Sequence, residues 1–182
     1  TSQRFIIKNQ FDFIIISPGI DINKCKLSWF LKKNLHKIYT DLDVFYSFYR
    51  NDCISITGTN GKSTTCRLLY EILLKHNYDV KLVGNIGRPI LSVKDVKSKT
   101  IFVVEASSYQ LEYSKIFKSK YAAILNISPD HLERHKTINN YVRAKFKILN
   151  NDSKNSLGFI NEKDLLTMKE LAKIKIKKKI LK

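Results

Sequence analysis

Acidic side chains are scarce here. Sixteen Asp and Glu stand against 33 Lys and Arg in 182 residues, a formal charge of +17. Such an excess raises the question of a nucleic-acid partner. The lysines, however, are scattered over the whole length, and the chain is rich in Ile and Asn, as is common where codons are AT-rich. The charge is therefore read as solvated surface that weakly attracts anionic nucleotides, and no nucleic-acid partner is expected. Long apolar runs are missing too: none approaches the ~20 residues of a membrane span, and there is no signal peptide, so no membrane partner is expected. Cysteine is sparse. Cys25, Cys53 and Cys66 have no metal-type spacing, and an odd, low count argues for a reducing compartment, the cytoplasm. Cys53 and Cys66 read as small core residues.

What is present is a stretch from Cys53 to Thr65, C-I-S-I-T-G-T-N-G-K-S-T-T. A short buried strand runs into a glycine-bearing turn, and Lys62, Ser63 and Thr64 open a helical pattern. The first turn of a helix has unpaired N–H groups and a partial positive charge, and glycine lets backbone approach an anion. The stretch therefore predicts a phosphate site, with Lys62 reaching the outer phosphates and the Ser63 hydroxyl facing Mg²⁺. The spacing departs from G-x-x-x-x-G-K-[ST], which would need glycine at Ile56. The bland alternative is a tight turn with a chance lysine.

Elsewhere strands and helices alternate. A buried strand running into a turn is expected in Phe11–Gly19, and strands in Ile38–Tyr39, Val80–Val83, Ile101–Glu105, Tyr121–Ile127 and Leu157–Ile160. Helices are expected at 23–34, 41–49, 63–76 and over 139–150, where Tyr141, Ala144, Lys145 and Ile148 share a face, and a helix or turn from Ser107 to Glu112. Asn51-Asp52 marks a boundary between two units. Residues 162–182 read as a basic amphipathic helix or a frayed tail. The fold class is α/β, a parallel sheet flanked by helices. Ligands of such sheets lie beyond the carboxyl ends of the strands, where Gly58, Asn85, Glu105 and His131 fall.

Glu105 ends an apolar strand and needs a compensating partner; beside phosphates, Mg²⁺ is the economical one. The alternative is an exposed strand-end Glu. His131 is equally compatible with a ligand and a structural role, and Asp130 reads first as a helix cap. Nothing in spacing separates Lys145 from Lys147; both fit a half-buried helix face with a snorkelling amine.

G-T-N-G-K-S-T (58–64), G-N-I-G-R-P (84–89), E-A-S-S-Y-Q-L-E (105–112), N-I-S-P-D-H-L-E-R-H (126–135) and Y-V-R-A-K (141–145) occur in this order. Together they resemble the Mur ligase superfamily, whose members add amino acids to peptidoglycan precursors and folates, and G-N-I-G with S-S-Y-Q-L-E is most similar to its D-glutamate-adding branch. S-P-G-I (17–20) and T-D-L-D-V-F (40–45) resemble the end of that family's Rossmann-like, UDP-binding N-terminal domain. The resemblance implies three segments: 1–50 as the end of that domain, 51–161 as part of the central ATP-binding domain with its P-loop-like site, and 162–182 as a tail outside the likeness. It implies that Gly58, Thr59, Asn60, Gly61, Lys62, Ser63 and Thr64 hold ATP. Ser63 and Glu105 would hold one Mg²⁺, and His131 with a carbamylated Lys145 a second. Lys62, His131 and Lys145 would be the catalytic groups. Asn85, Ser107 and Gln110 would face the muramoyl substrate, and Ser17, Pro18 and Gly19 the uridine nucleotide.

The implied activity joins D-glutamate to UDP-N-acetylmuramoyl-L-alanine (UDP-MurNAc-L-Ala) through an ATP-derived acyl phosphate, in a cytoplasmic monomer acting on small molecules. The chain opens on Thr1 in mid-pattern, and a fragment of a longer ligase is expected. A folylpolyglutamate-type ligase and a nucleotide binder without ligase chemistry are the alternatives.

Overall fold

The computed structural model describes residues 6, 9–150, 155–174, 176 and 178–182. In chain order the strands and α-helices are β1 (Ile14–Ile15), α1 (Ser28–Lys33), β2 (Ile38–Tyr39), α2 (Asp41–Phe48), β3 (Cys53–Thr57), α3 (Lys62–Lys75), β4 (Val80–Gly84), β5 (Ile101–Glu105), α4 (Ser108–Tyr113), β6 (Tyr121–Ile124), α5 (Leu132–His135), α6 (Ile138–Phe146), β7 (Leu157–Ile160), α7 (Leu165–Leu171) and β8 (Lys179–Leu181). Six strands form one sheet in the order β4-β5-β3-β6-β7-β8, every neighbouring pair parallel. β1 and β2 form a separate parallel pair.

The sheet is covered on both faces, which is why β5 reads as an unbroken apolar run. Phe102 and Val104 point into a core with Phe45 of α2 and Tyr141, Val142 and Phe146 of α6. Val103 points the other way, to Ile56, Leu82 and Cys66, with Leu69 and Leu73 of α3 against them. Register brings the ends of four strands to one rim: Ile56 and Gly84 both stand opposite Glu105, and Thr57 stands opposite Ile124. After β3 the chain leaves towards β4, and after β6 it leaves towards β7. The crevice between those departures is where ligands settle on open α/β sheets.

A buried carboxylate joins the first segment to the sheet. Asp43 is 1% exposed. Its Oδ1 accepts from the Ser114 hydroxyl (2.9 Å) and from the amides of Lys115 (2.9 Å), Ile116 (2.8 Å) and Phe117 (3.1 Å), while Oδ2 accepts from the Thr40 amide (3.0 Å). Asp43→Ala would strand those donors in a dry interior. It should lower the unfolding free energy by ~3 kcal/mol, read as a reduced midpoint in urea at unchanged slope.

Several expected elements are placed differently. In Phe11–Gly19 the turn is found at Pro18 and Gly19, but the strand before it is only Ile14–Ile15 and is not buried throughout: Phe13 and Ile15 are 66% and 52% exposed, because β1 pairs only with β2 among the described residues. The helix expected over 23–34 begins at Ser28, after turns closed on Asp21 and Cys25. β6 stops at Ile124, since Leu125 to Ser128 bend onto the loop after β3. The stretch 162–182 is no continuous helix or frayed tail. It holds α7, capped by Asp164, and then β8, which pairs with β7 and extends the sheet. Burial alternates along β8, with Ile180 half-buried between exposed Lys179 and Leu181, as suits a half-covered strand. Within 162–182, Lys175 and Lys177 lie outside the described residues, as does Thr1.

Candidate functional site

The loop after β3 is fixed from its far side. The Thr59 amide donates to the Asn126 carbonyl (3.0 Å) and the Asn60 amide to Asn126 Oδ1 (2.9 Å). Thr59 Oγ1 donates to the Ser128 carbonyl (3.2 Å), accepts from the Ser128 amide (3.0 Å), and lies 3.1 Å from the Tyr141 hydroxyl. Gly61 caps α3 at φ +80°, a left-handed conformation that glycine adopts without strain. The amides of Thr59 and Asn60 therefore already have acceptors. The donors left for an anion are the first-turn amides at Lys62, Ser63 and Thr64, which no helix satisfies internally. The Lys62 ammonium curls back to the Thr59 carbonyl (2.8 Å), a contact that an incoming phosphate can replace.

Beneath this loop sits Glu105, 1% exposed. Ser63 Oγ donates to its Oε2 (2.8 Å) and Asn85 Nδ2 to its Oε1 (2.8 Å). Gly84 makes the second contact possible. Its φ is +106°, and a Cβ there would collide with the Glu105 carbonyl oxygen, to which the Asn85 amide donates at 2.9 Å. Both partners of the carboxylate are neutral, and among the described residues no cation pairs with it. A buried carboxylate without a counter-charge is costly. Cis oxygen ligands of an octahedral Mg²⁺ at ~2.1 Å stand ~3.0 Å apart, near the Ser63–Glu105 separation of 2.8 Å. Hydroxyl and carboxylate thus fit one edge of such a site. Among the described residues no three His, Cys, Asp or Glu side chains converge, so phosphate oxygens and waters would have to complete it.

A cavity of about 530 Å³ opens over this rim. Pro18, Gly19, Lys62, Asn85, Ser107, Gln110, His131 and Lys145 line it, as do Gly84, Ser108, Tyr109 and Tyr141. Eight of the sequence-derived site residues thus share one wall. Ser63 and Glu105 reach it through Asn85. Ser17 and Thr64 do not line it; Ser17 faces an apolar groove beside Phe11 and Phe30.

Lys145 does not snorkel. It is 2% exposed, its amine donates to the Gly58 carbonyl (2.7 Å), and it lies 4.5 Å from the Tyr141 ring centre. Burial, with the Lys62 charge added, pushes its pKa down to about 7. Lys147, which spacing could not separate from it, donates to the Glu112 carbonyl instead and is not on the cavity. His131 opens α5 at φ +52°, with the Asp130 carboxylate accepting from its amide at 2.8 Å. Its imidazole stands at the cavity wall, 3.4 Å from Asp130 and 3.8 Å from Glu133. Gln110 lies at the wall too, yet its amide is already engaged by Asp41 and Ser107.

Tyr141 lines the cavity although the sequence marks it only as sharing a helix face with Ala144, Lys145 and Ile148. Its place four residues before Lys145 puts both on one helix face, and that was the available signal. Ser108, buried and hydrogen-bonded to His135 (3.0 Å), had none.

Residues 56–181 match the sequence model of the Mur ligase middle domain. The chain belongs to the Mur ligase family. Among curated relatives, it is 43% identical over 145 residues to the UDP-N-acetylmuramoylalanine–D-glutamate ligase of Caldicellulosiruptor bescii, covering 79% of this chain and 32% of that protein. With the enzyme of the same name from Elusimicrobium minutum it shares 39% over 174 residues, covering 91% and 38%. The chain thus spans about a third of the length of these Mur ligases. Solved structures share the fold. A UDP-N-acetylmuramate:L-alanyl-gamma-D-glutamyl-meso-diaminopimelate ligase from Neisseria meningitides superposes with TM-score 0.63 at 14% identity, covering 97% of this chain and 60% of that one. The Thermotoga maritima MurF ligase, solved in complex with ADP, gives 0.59 at 20%, covering 96% and 48%. The parallel sheet flanked by helices is therefore the Mur ligase architecture, and the family likeness runs through β8, past the point where motif matching faded at 161.

Proposed function

We propose that this chain carries the phosphate- and carboxylate-handling part of an ATP-dependent ligase that joins D-glutamate to UDP-MurNAc-L-Ala. The observation that carries the reading is the single cavity in which Lys62 of the phosphate loop meets Asn85, Ser107, His131 and Lys145. Residues 1–50 are assigned to the uridine-nucleotide side, with Pro18 and Gly19 on the wall, and 51–161 to the ATP side.

The residues divide the work. The first-turn amides of α3 and the Lys62 ammonium hold the ATP phosphates. Asn85 and Ser107 orient the muramoyl nucleotide, and its alanyl carboxylate takes the γ-phosphoryl group to give an acyl phosphate and ADP. The amine of D-glutamate then attacks the acyl carbon, phosphate leaves, and a C–N bond replaces the C–O bond. Holding two anions together is the main difficulty, and positioned cations lower it. Ser63 and Glu105 would hold Mg²⁺, which supplies charge neutralisation between the phosphates and the incoming carboxylate. Burial lowers the pKa of Lys145 to about 7, far enough to leave a share of free amine near neutral pH. Its free amine can add CO₂ and lose a proton to become an anionic carbamate, an oxygen ligand that would serve a second Mg²⁺ beside His131.

The test is a pair of titrations. With Mg²⁺ present the protein should bind ATP, and it should bind UDP-MurNAc-L-Ala in preference to a folate. Preference for the folate would move the chain to the folate-glutamate branch of the family. Binding of ATP with indifference to both would leave a nucleotide binder alone.

A further inference from the structure

The engaged amide of Gln110 has a consequence for what the cavity accepts. Gln110 is 5% exposed. Its Nε2 donates to Asp41 Oδ2 (2.7 Å), and its Oε1 accepts from the Ser107 amide (3.1 Å) and the Ser107 hydroxyl (3.2 Å). The Gln110 amide donates back to Ser107 Oγ (3.2 Å), and Asp41 Oδ1 accepts from the Leu42 amide (3.0 Å). Side-chain amides can turn over, so something must decide which end of Gln110 faces Ser107.

An ionised carboxylate has acceptors only. Asp41 therefore forces the NH₂ end of Gln110 towards itself and the carbonyl end towards Ser107. That carbonyl claims the single hydroxyl proton of Ser107. One Oγ lone pair accepts from the Gln110 amide, and the other is left for the cavity. We propose that Asp41 is a positioning residue that acts through Gln110 to fix Ser107 as a pure hydrogen-bond acceptor, so that the cavity wall selects a ligand N–H or O–H donor at this point. This rests on the reading of the cavity as the muramoyl-nucleotide site. That ligand carries both kinds of donor, in its amide and sugar groups.

Asp41→Asn discriminates sharply. Aspartate offers two acceptor oxygens, one to Leu42 and one to Gln110. Asparagine offers one, so its NH₂ must oppose either the Leu42 amide or the Gln110 NH₂. Turning Gln110 over relieves the conflict, and this removes the acceptor from the Ser107 amide. In the ligand-free protein, hydrogen exchange followed by NMR should show the Ser107 amide losing protection about tenfold in the variant. The Gln110 backbone amide, whose acceptor is Ser107 Oγ, should keep its protection. Unchanged protection at both the Ser107 and the Leu42 amides would overturn the relay without reference to any ligand, and loss at Leu42 alone would show that one acceptor oxygen holds Gln110 in place, which overturns the need for the Asp41 carboxylate.

The second arm is a double-mutant cycle on UDP-MurNAc-L-Ala binding. Asp41→Asn should weaken binding about tenfold in the parent protein and less than about twofold once Ser107→Ala is present. Equal losses in both backgrounds would show that Asp41 acts on the fold and not through Ser107. If the parent fails to bind this nucleotide, the functional reading falls, while the exchange measurement still decides the relay.

Discussion

Replacing Glu105 by glutamine should leave the protein folded and weaken Mg²⁺-dependent ATP binding about a hundredfold. Glutamine keeps the shape of the side chain and can still pair with Ser63 and Asn85, since a hydroxyl and a side-chain amide can each donate or accept. The negative charge is all that is lost. The natural carboxylate has two neutral partners and almost no solvent. Its charge therefore remains uncompensated until a cation arrives beside the phosphate loop. The decisive measurement titrates ATP into both proteins with and without Mg²⁺. The parent should respond strongly to the metal and the variant hardly at all. Equal metal dependence in the two would reduce Glu105 to a strand-end group hydrogen-bonded for structural reasons. The metal reading of Ser63 would fall with it.

Much of this geometry could be read before the structure was seen, and for a physical reason. β5 is central and covered on both faces, so its residues from Ile101 to Val104 had to be apolar whichever way they pointed. That made the polar change at Glu105 visible. The turn after β3 was legible because glycine at an αL helix start is a local requirement. What escaped depended on contacts between distant segments. Thr59 and Asn60 looked like phosphate donors, but Asn126, 66 residues on from Asn60, already takes both amides. Gln110 looked like a ligand contact, but Asp41 and Ser107 hold it. The Lys- and Ile-rich end of the chain looked helical or frayed because whether a strand forms there depends on the open edge of β7. Spacing could not separate Lys145 from Lys147, two residues apart. Only packing does so, turning one amine to the cavity and the other to the Glu112 carbonyl.

That packing makes a second large prediction. In CO₂-free buffer at pH 6.5, Lys145→Met should raise the melting temperature by roughly 6–12 °C. The unfolded amine keeps its proton up to about pH 10.5, whereas the folded one, stripped of water and facing Lys62, gives it up at about 7. Between those values the unfolded chain binds more protons, so parent stability must rise with pH across that window and level off above it. Below pH 7 both states are charged and the whole penalty applies, roughly 5 kcal/mol from the size of the shift. Methionine removes this penalty, fills a similar volume, and forfeits the bond to the Gly58 carbonyl and the cation–π contact with Tyr141, ~1 kcal/mol each. The advantage of the variant should be greatest below pH 7, shrink steadily towards pH 10, and be absent above it. Parallel stability curves for the two proteins would mean that the amine is hydrated in solution, and its poise for CO₂ would lose its physical basis. If the curves converge as expected, the fold tolerates a destabilising lysine beside Tyr141 whose benefit lies in chemistry at the cavity. Activity lost in the more stable variant would then be the signature of that trade.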